Sequence, residues 1–320
     1  WDQKEIIKPL SEVRYLQGRL MGKMQSLGFD LQNEALLDTL SLDVIKSSEI
    51  EGEKLSAEQV RSSIAKRLGI EIAGSVESDR NVDGMVEMMI DATKNCFKPL
   101  TSDRLFDWHA ALFPTGRVGM HKITVADWRV DFQAPDSEFV PKEMERFLDW
   151  YNNNQENERV IKAAIAHIWF VTIHPFEDGN GRITRALTDM LLAQADNSTE
   201  RFYSMSAQIR VKRKEYYEIL EKTQQGNLDI TKWVLWFLNC LKNALNSTDS
   251  LLNERQRKML NKLLDGFDGK LTSSKWSKIA KCSKDTAIRD INDLIKKNIL
   301  QKEDAGGRST NYEIIKPATT

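Results

Sequence analysis

Apolar side chains recur three or four residues apart along most of the chain, the spacing of one helix face, and only one short stretch alternates as a strand does. Leu10, Val13, Leu16, Leu20 and Met24 form one stripe that ends near Gly28, and Val82, Met85, Met89 and Ile90 form another before Lys98-Pro99. Thr101-Ser102-Asp103-Arg104 is a polar start for a helix through Leu105, Trp108 and Leu112, stopped by the Pro114-Thr115-Gly116 turn. Met144, Phe147, Leu148 and Tyr151 predict a helix after Pro141, and Ala163 to Ile173 is apolar nearly all round, as a helix buried on every side must be. Between Gly119 and Phe132, Ile123, Val125, Trp128 and Val130 alternate with polar residues and predict a small β-hairpin or flap. The expected fold is all-α, a helical bundle with that one flap.

A second unit is expected near the C-terminus. Asn246, Ser247, Thr248, Asp249 and Ser250 follow a helical run over 233–241 and read as a polar linker. Beyond it, 255–264, 274–280 and 284–297 read as three helices, the last with Ile288, Ile291, Leu294 and Ile295 inward. Residues 301–308 and 312–315 read as strand, glycine turn and strand. Three helices and a hairpin resemble a winged helix, whose third helix enters the major groove of DNA. Lys284, Arg289 and Arg308 would make the phosphate and base contacts, while Asp285, Asp290 and Asp293 dilute the charge of that helix. The same module could equally serve protein contacts or packing of a homodimer.

Composition sharpens this division. The 320 residues carry 46 Lys+Arg and 47 Asp+Glu, a net charge of −1, so no global basic field points to nucleic acid or an anionic membrane. Residues 251–320 alone are at +6, which leaves −7 for 1–250. The longest nearly apolar run, 163–173, is interrupted by His167 and falls short of the ~20 residues of a membrane span. Three distant cysteines, Cys96, Cys240 and Cys282, indicate neither a disulfide framework nor a zinc cluster. The first residues lack the pattern of a secretory signal, and a reducing cytoplasm is expected.

The chemistry concentrates in His174-Pro175-Phe176-Glu177-Asp178-Gly179-Asn180-Gly181-Arg182-Ile183-Thr184-Arg185, a loop that opens a helix. Gly179 and Gly181 let backbone N–H groups converge, and a helix N-terminus adds positive potential at the same point. Arg182 and Arg185, three apart, can grip successive phosphates, and Asp178 supplies the hard oxygen that Mg²⁺ on a polyphosphate requires. His174 can take a proton from a hydroxyl near neutral pH. Phe176 is expected to anchor the loop.

These twelve positions match in full the signature H-x-F-x-(D/E)-G-N-G-R-x-x-R, and the chain resembles the Fic (filamentation induced by cAMP) family. The resemblance extends from Arg80-Asn81-Val82 through 108–116 to Arg185. It implies transfer of AMP from MgATP to a Ser, Thr or Tyr hydroxyl of a target protein. His174 would be the general base and Asp178 the Mg²⁺ ligand, with Gly179, Asn180 and Gly181 as phosphate loop and Arg182 and Arg185 on the β- and γ-phosphates. Glycine rather than lysine at 181 favours nucleotidyl transfer over phosphorylation. The segment 119–132 resembles the family's target-positioning flap, shorter after Arg129 than in close relatives.

Ser47-Ser48-Glu49-Ile50-Glu51-Gly52 reads from its residues as the end of an amphipathic helix through Leu40, Val44 and Ile45, stopped by Gly52. It also resembles the family's inhibitory pattern (S/T)-x-x-x-E-(G/N), with Ser47, Glu51 and Gly52 in place. A Glu51 carboxylate packed on the phosphate site could pair with Arg185. His109, His121 and His167 are read as structural. The organisation expected is an N-terminal helical segment with the inhibitory helix (1–79), a Fic core (80–245) and a winged-helix module (251–320). The alternatives are a DNA-binding regulator whose core senses nucleotide, and an enzyme that removes AMP from a modified target with Glu51 activating water.

Overall fold

A computed structural model describes residues 1–25, 29–72, 74–114, 138–154, 158–249, 254–264, 267, 269–296, 299–303 and 310–315. Among these residues eight helices run through the histidine motif: α1 (Gln3–Gln25), α2 (Phe29–Ile50), α3 (Ala57–Leu68), α4 (Arg80–Lys94), α5 (Ser102–Leu112), α6 (Val140–Asn153), α7 (Arg159–Ile173) and α8 (Asn180–Asp196). Three more follow, α9 (Met205–Val211), α10 (Arg213–Gln224) and α11 (Thr231–Asp249). The expected stripes are the buried ones: Val13, Leu20 and Met24 of α1, and Val82, Met85 and Met89 of α4, are inside. Thr101 caps α5 by accepting from the Arg104 N–H, so its polar start has a mechanical reason.

α8 is the axis of the bundle. It lies along α7 and also touches α1, α2, α4 and α5. Nearly all its residues are buried, charged ones included, because partners cover it on every side. The apolar α7 is buried likewise, and His167 at its centre is a structural residue as expected. Its ring nitrogens lie 2.8 Å from Thr188 Oγ1 and 2.8 Å from the Tyr216 hydroxyl. Burial pulls its pKa down to about 3, so it is neutral in the core.

The polar run after 245 differs from its reading as a linker. Residues 246–249 are the last turn of α11. Ser247 Oγ donates to the Asn243 carbonyl at 2.8 Å and Thr248 Oγ1 to that of Ala244 at 3.2 Å, so hydroxyls that commonly break helices are satisfied within this one. Beyond it lie α12 (Glu254–Leu264), α13 (Ser273–Ala280) and α14 (Lys284–Lys296), then strands β1 (Leu300–Lys302) and β2 (Tyr312–Ile314), paired antiparallel with Leu300 opposite Ile314. In α14 the inward residues are Ala287, Asp290, Ile291 and Leu294. Ile288, expected inside, is exposed, and Asp290 takes a buried place because Arg255 of α12 binds its carboxylate at 2.9 and 3.1 Å. The expected flap, with His121, and the expected wing residue Arg308 lie outside the described residues.

Candidate active site

α7 ends at Ile173, and the chain turns on His174, whose φ of 52° is left-handed and whose N–H still bonds the Phe170 carbonyl at 3.0 Å. A residue other than glycine in that region costs of order 1 kcal/mol, a cost that persists where surroundings enforce it. Two locks enforce it here. The Asn180 carboxamide spans the loop, donating to the Phe176 carbonyl at 2.6 Å and accepting from the Phe176 N–H at 3.0 Å. The buried Phe176 ring stacks on His109, with centroids 4.4 Å apart, and meets Phe106 edge-on. Gly179, with φ 84°, then opens α8, and its N–H donates to Asp178 Oδ1 at 2.6 Å. A Cβ at Gly179 would lie 2.9 Å from the Phe113 ring.

Burial pushes the His174 pKa below the ordinary imidazole range, against an upward pull from the Val171 backbone and the carboxylates of Glu51 and Asp178. The neutral form, which can accept a proton, therefore prevails at pH 7.

The end of α2 meets this loop. Gly52 N–H bonds the Glu49 carbonyl at 3.2 Å and Glu53 N–H that of Ser48 at 3.0 Å, the paired bonds of a Schellman turn, and Gly52 sits at φ 89° as that turn demands. The expected helix end is thus present, and the turn sets Glu51 and Glu53 on either side of Gly52. Glu51 Oε1 lies 2.9 Å from Arg185 Nη1, an ion-pair contact with no aimed hydrogen bond. The rest of the Arg185 guanidinium is held by Ser47: Nε donates to its hydroxyl at 2.7 Å and Nη2 to its carbonyl at 2.9 Å. Glu51 also presses on Gly181, where a Cβ would collide with Glu51 Oε1 and lie 2.9 Å from its Cδ. Arg182 donates from Nη1 to Glu53 Oε2 at 2.6 Å and lies over the Phe113 ring at 5.0 Å.

One turn deeper, Asp43 of α2 faces Asp189 of α8 around Arg201. Arg201 Nη1 lies 3.0 Å from Asp189 Oδ1, and Asp43 Oδ1 accepts from the Ser204 hydroxyl at 2.6 Å and the Ser206 N–H at 3.3 Å. Burial, with the Asp189 carboxylate adding to it, pushes Asp43 up to about 8.

The structure therefore brings together His174, Asp178, Gly179, Asn180, Gly181, Arg182 and Arg185, and adds Ser47, Glu51 and Gly52 from 120 residues or more upstream. Lys284 and Arg289 stand apart on α14. Sequence reasoning passed over Asp43, Glu53 and Asp189. A signal existed: Asp43, Ser47 and Glu51 are spaced by four, as are Arg185 and Asp189, so each set lies on one helix face.

Among the described residues no group of three or more metal-ligating side chains converges. The site fits Mg²⁺ nevertheless, since that ion on a polyphosphate commonly takes one or two carboxylates, waters and phosphate oxygens, and Asp178 stands at the loop with its carboxylate half-exposed.

A helical core whose central helix opens from this loop is the architecture expected of a Fic domain. The Fic/DOC family model matches residues 99–192, and a domain of unknown function, DUF4172, matches 1–70. The chain thus carries a Fic/DOC-family domain. The protein adenylyltransferase Fic of Drosophila mojavensis is 36% identical over 105 residues, which are 32% of this chain and 19% of that protein. That of Drosophila grimshawi is also 36% identical over 105 residues. The chain spans about a fifth of the length of these curated relatives. A Fic family protein from Desulfovibrio desulfuricans has the same fold, with a TM-score of 0.59 at 21% identity over 100% of this chain and 98% of the other. Fic-1 of Caenorhabditis elegans superposes with a TM-score of 0.55 at 22% identity, covering 75% of this chain and 71% of that one.

Proposed function

We propose that this chain transfers AMP from ATP to a Ser, Thr or Tyr hydroxyl of a protein, and that Glu51 restrains the reaction. The observation that supports it most is the placement of the Glu51 carboxylate against Gly181 and Arg185, in the space where the motif would hold phosphates. In the reaction, neutral His174 takes the proton of the target hydroxyl as its oxygen bonds the α-phosphorus of ATP. The bond from that phosphorus to the α,β-bridging oxygen breaks, and pyrophosphate leaves. Loop N–H groups between Gly179 and Arg182, at the α8 N-terminus, and the two guanidinium groups orient and neutralise the phosphates. Asp178 would hold Mg²⁺, which supplies positive charge to the phosphate oxygens. While Glu51 occupies Arg185, the γ-phosphate lacks that grip and the α-phosphate is presented off line, which forfeits proximity.

Incubation of the full chain with ATP labelled at the α- or the γ-phosphate tests the reading. Label is expected on protein from the α position only. His174→Ala should cost ~10²- to 10⁴-fold in labelling while nucleotide still binds. Transfer of γ-label, or full labelling by His174→Ala, would reject the mechanism.

A second reading concerns 251–320. Asp290 is buried on Arg255, and Asp293 accepts from Gln256 at 2.8 Å, so two of the three acids on α14 turn toward α12. The outer face of α13 and α14 then bears exposed Lys275, Lys278, Lys281, Lys284, Arg289 and Lys296 against a single carboxylate, Asp285. Exposed Arg289 and Asn292 are side chains of the types that read guanine and adenine edges. We propose that this face binds duplex DNA. Anisotropy of a fluorescent mixed-sequence duplex should show binding that weakens with salt and is lost in Lys284→Glu/Arg289→Glu. Binding indifferent to both would reject it.

A further inference from the structure

Arg182 is held as closely as Arg185, and by a carboxylate outside the inhibitory pattern. Glu53 Oε2 receives its Nη1 hydrogen bond at 2.6 Å. The Arg182 side chain is 5% exposed, and Asp178 Oδ1 is 3.7 Å from Nη2. The Glu53 side chain, in contrast, is 48% exposed. Its position follows from the turn, because its own N–H closes the Schellman bond to Ser48.

We infer that Glu53 is a second positioning carboxylate of this site, holding the guanidinium edge of Arg182 that a distal phosphate of the nucleotide must take. The inference rests on the nucleotide reading given above. A phosphate oxygen and Glu53 Oε2 compete for the same N–H, since each is an anion that needs a charge-assisted bond along one direction. The geometry favours release over collapse. Phe113 under the guanidinium keeps Arg182 in place when Glu53 leaves, and the freed carboxylate has water on one side. A cavity of about 380 Å³ lined by Ser48, Lys54, Met85 and Phe113 gives the turn room beside Arg182. Because Gly52 joins Glu51 to Glu53, one movement of the turn would free both arginines, whereas Glu51→Gly alone frees only Arg185.

Calorimetric titration of the full chain with ADP and with AMP, both with Mg²⁺, separates this role from a structural one. AMP has no distal phosphate for Arg182, so Glu53→Gln should tighten ADP about tenfold, the scale of one charge-assisted hydrogen bond, and leave AMP unchanged. Glu58→Gln removes the same charge from an exposed position in the first turn of α3 and should change neither. ADP affinity equal to wild type in Glu53→Gln, or equal tightening of ADP and AMP, would overturn the role of Glu53 and leave the transfer reading standing. Failure of every variant, Glu51→Gly included, to bind either nucleotide would overturn both.

Discussion

Carboxylates of the N-terminal segment meet the core around α8 at two places, and the two are built differently. In the deeper set, Asp189 and Arg201 are both nearly inaccessible, with side chains 2% and 1% exposed, and Asp43 packs beside them. In the outer set the arginines are as buried, but the Glu51 side chain is 31% exposed. A charge pair dry on both sides cannot open without stranding a charge in the core. The Glu51 pair opens at lower cost, because water takes over the freed carboxylate while the Ser47 hydroxyl and carbonyl still hold the buried Arg185 guanidinium. The deeper contacts therefore fasten α2, through Asp43 on Ser204 and Ser206, to the start of α9 beside Arg201, and the outer ones can let go while the helix stays in place. One interface serves as both anchor and latch.

The comparison is broken most severely at Asp189. Asp189→Ala leaves Arg201 buried without its main counter-charge and should lower stability by about 3–5 kcal/mol, measured by urea unfolding. A loss below about 1 kcal/mol would show that the deeper pair is as releasable as the outer one.

Asp43 sharpens the contrast by pH. It keeps its proton to about 8 in the folded chain, far above an ordinary aspartate, so its contribution to stability is complete below about pH 4. That contribution is lost as pH rises through the folded value. Between about pH 4 and about pH 8 the stability should fall by at most about 1.4 kcal/mol per pH unit from this group, read as a falling melting temperature that levels off above the folded value. Asp43→Asn, which keeps an acceptor for Ser204, should flatten that fall. An unchanged slope would place the titrating group elsewhere.

Glu51→Gly should have the smallest effect on stability, under about 1 kcal/mol, because its carboxylate is partly solvated. Labelling from α-labelled ATP should nevertheless rise between about tenfold and a hundredfold and return to background when His174→Ala is added. Glu51 also pulls the His174 pKa upward, so its removal should move the acidic limb of the labelling profile to lower pH. A variant that melts several degrees lower without gaining label would make Glu51 a fastener rather than a latch.

Much of this was legible before the structure. Stripes such as Val82, Met85 and Met89 mark buried faces because helix geometry turns spacing into direction, whatever the chain later packs against. The loop from His174 to Arg185 was legible for the same reason: the left-handed Gly179 and the reciprocal Asn180 clamp are local devices that close within six residues. Gly52 marked a helix end correctly, since the Schellman turn is equally local. Spacing failed where a residue's direction depends on a distant partner. Residues 246–249 form a helical turn that buries Thr248, and α14 buries Asp290 and exposes Ile288 because Arg255 waits on another helix. The identity of each carboxylate's partner is of that second kind. Residue order set Asp43 and Ser47 on one face of α2, with Glu51 next in line at the turn that ends it, and Arg185 and Asp189 on one face of α8. Only the packing of α2 on α8 decided that those faces meet, and how much water reaches each pair.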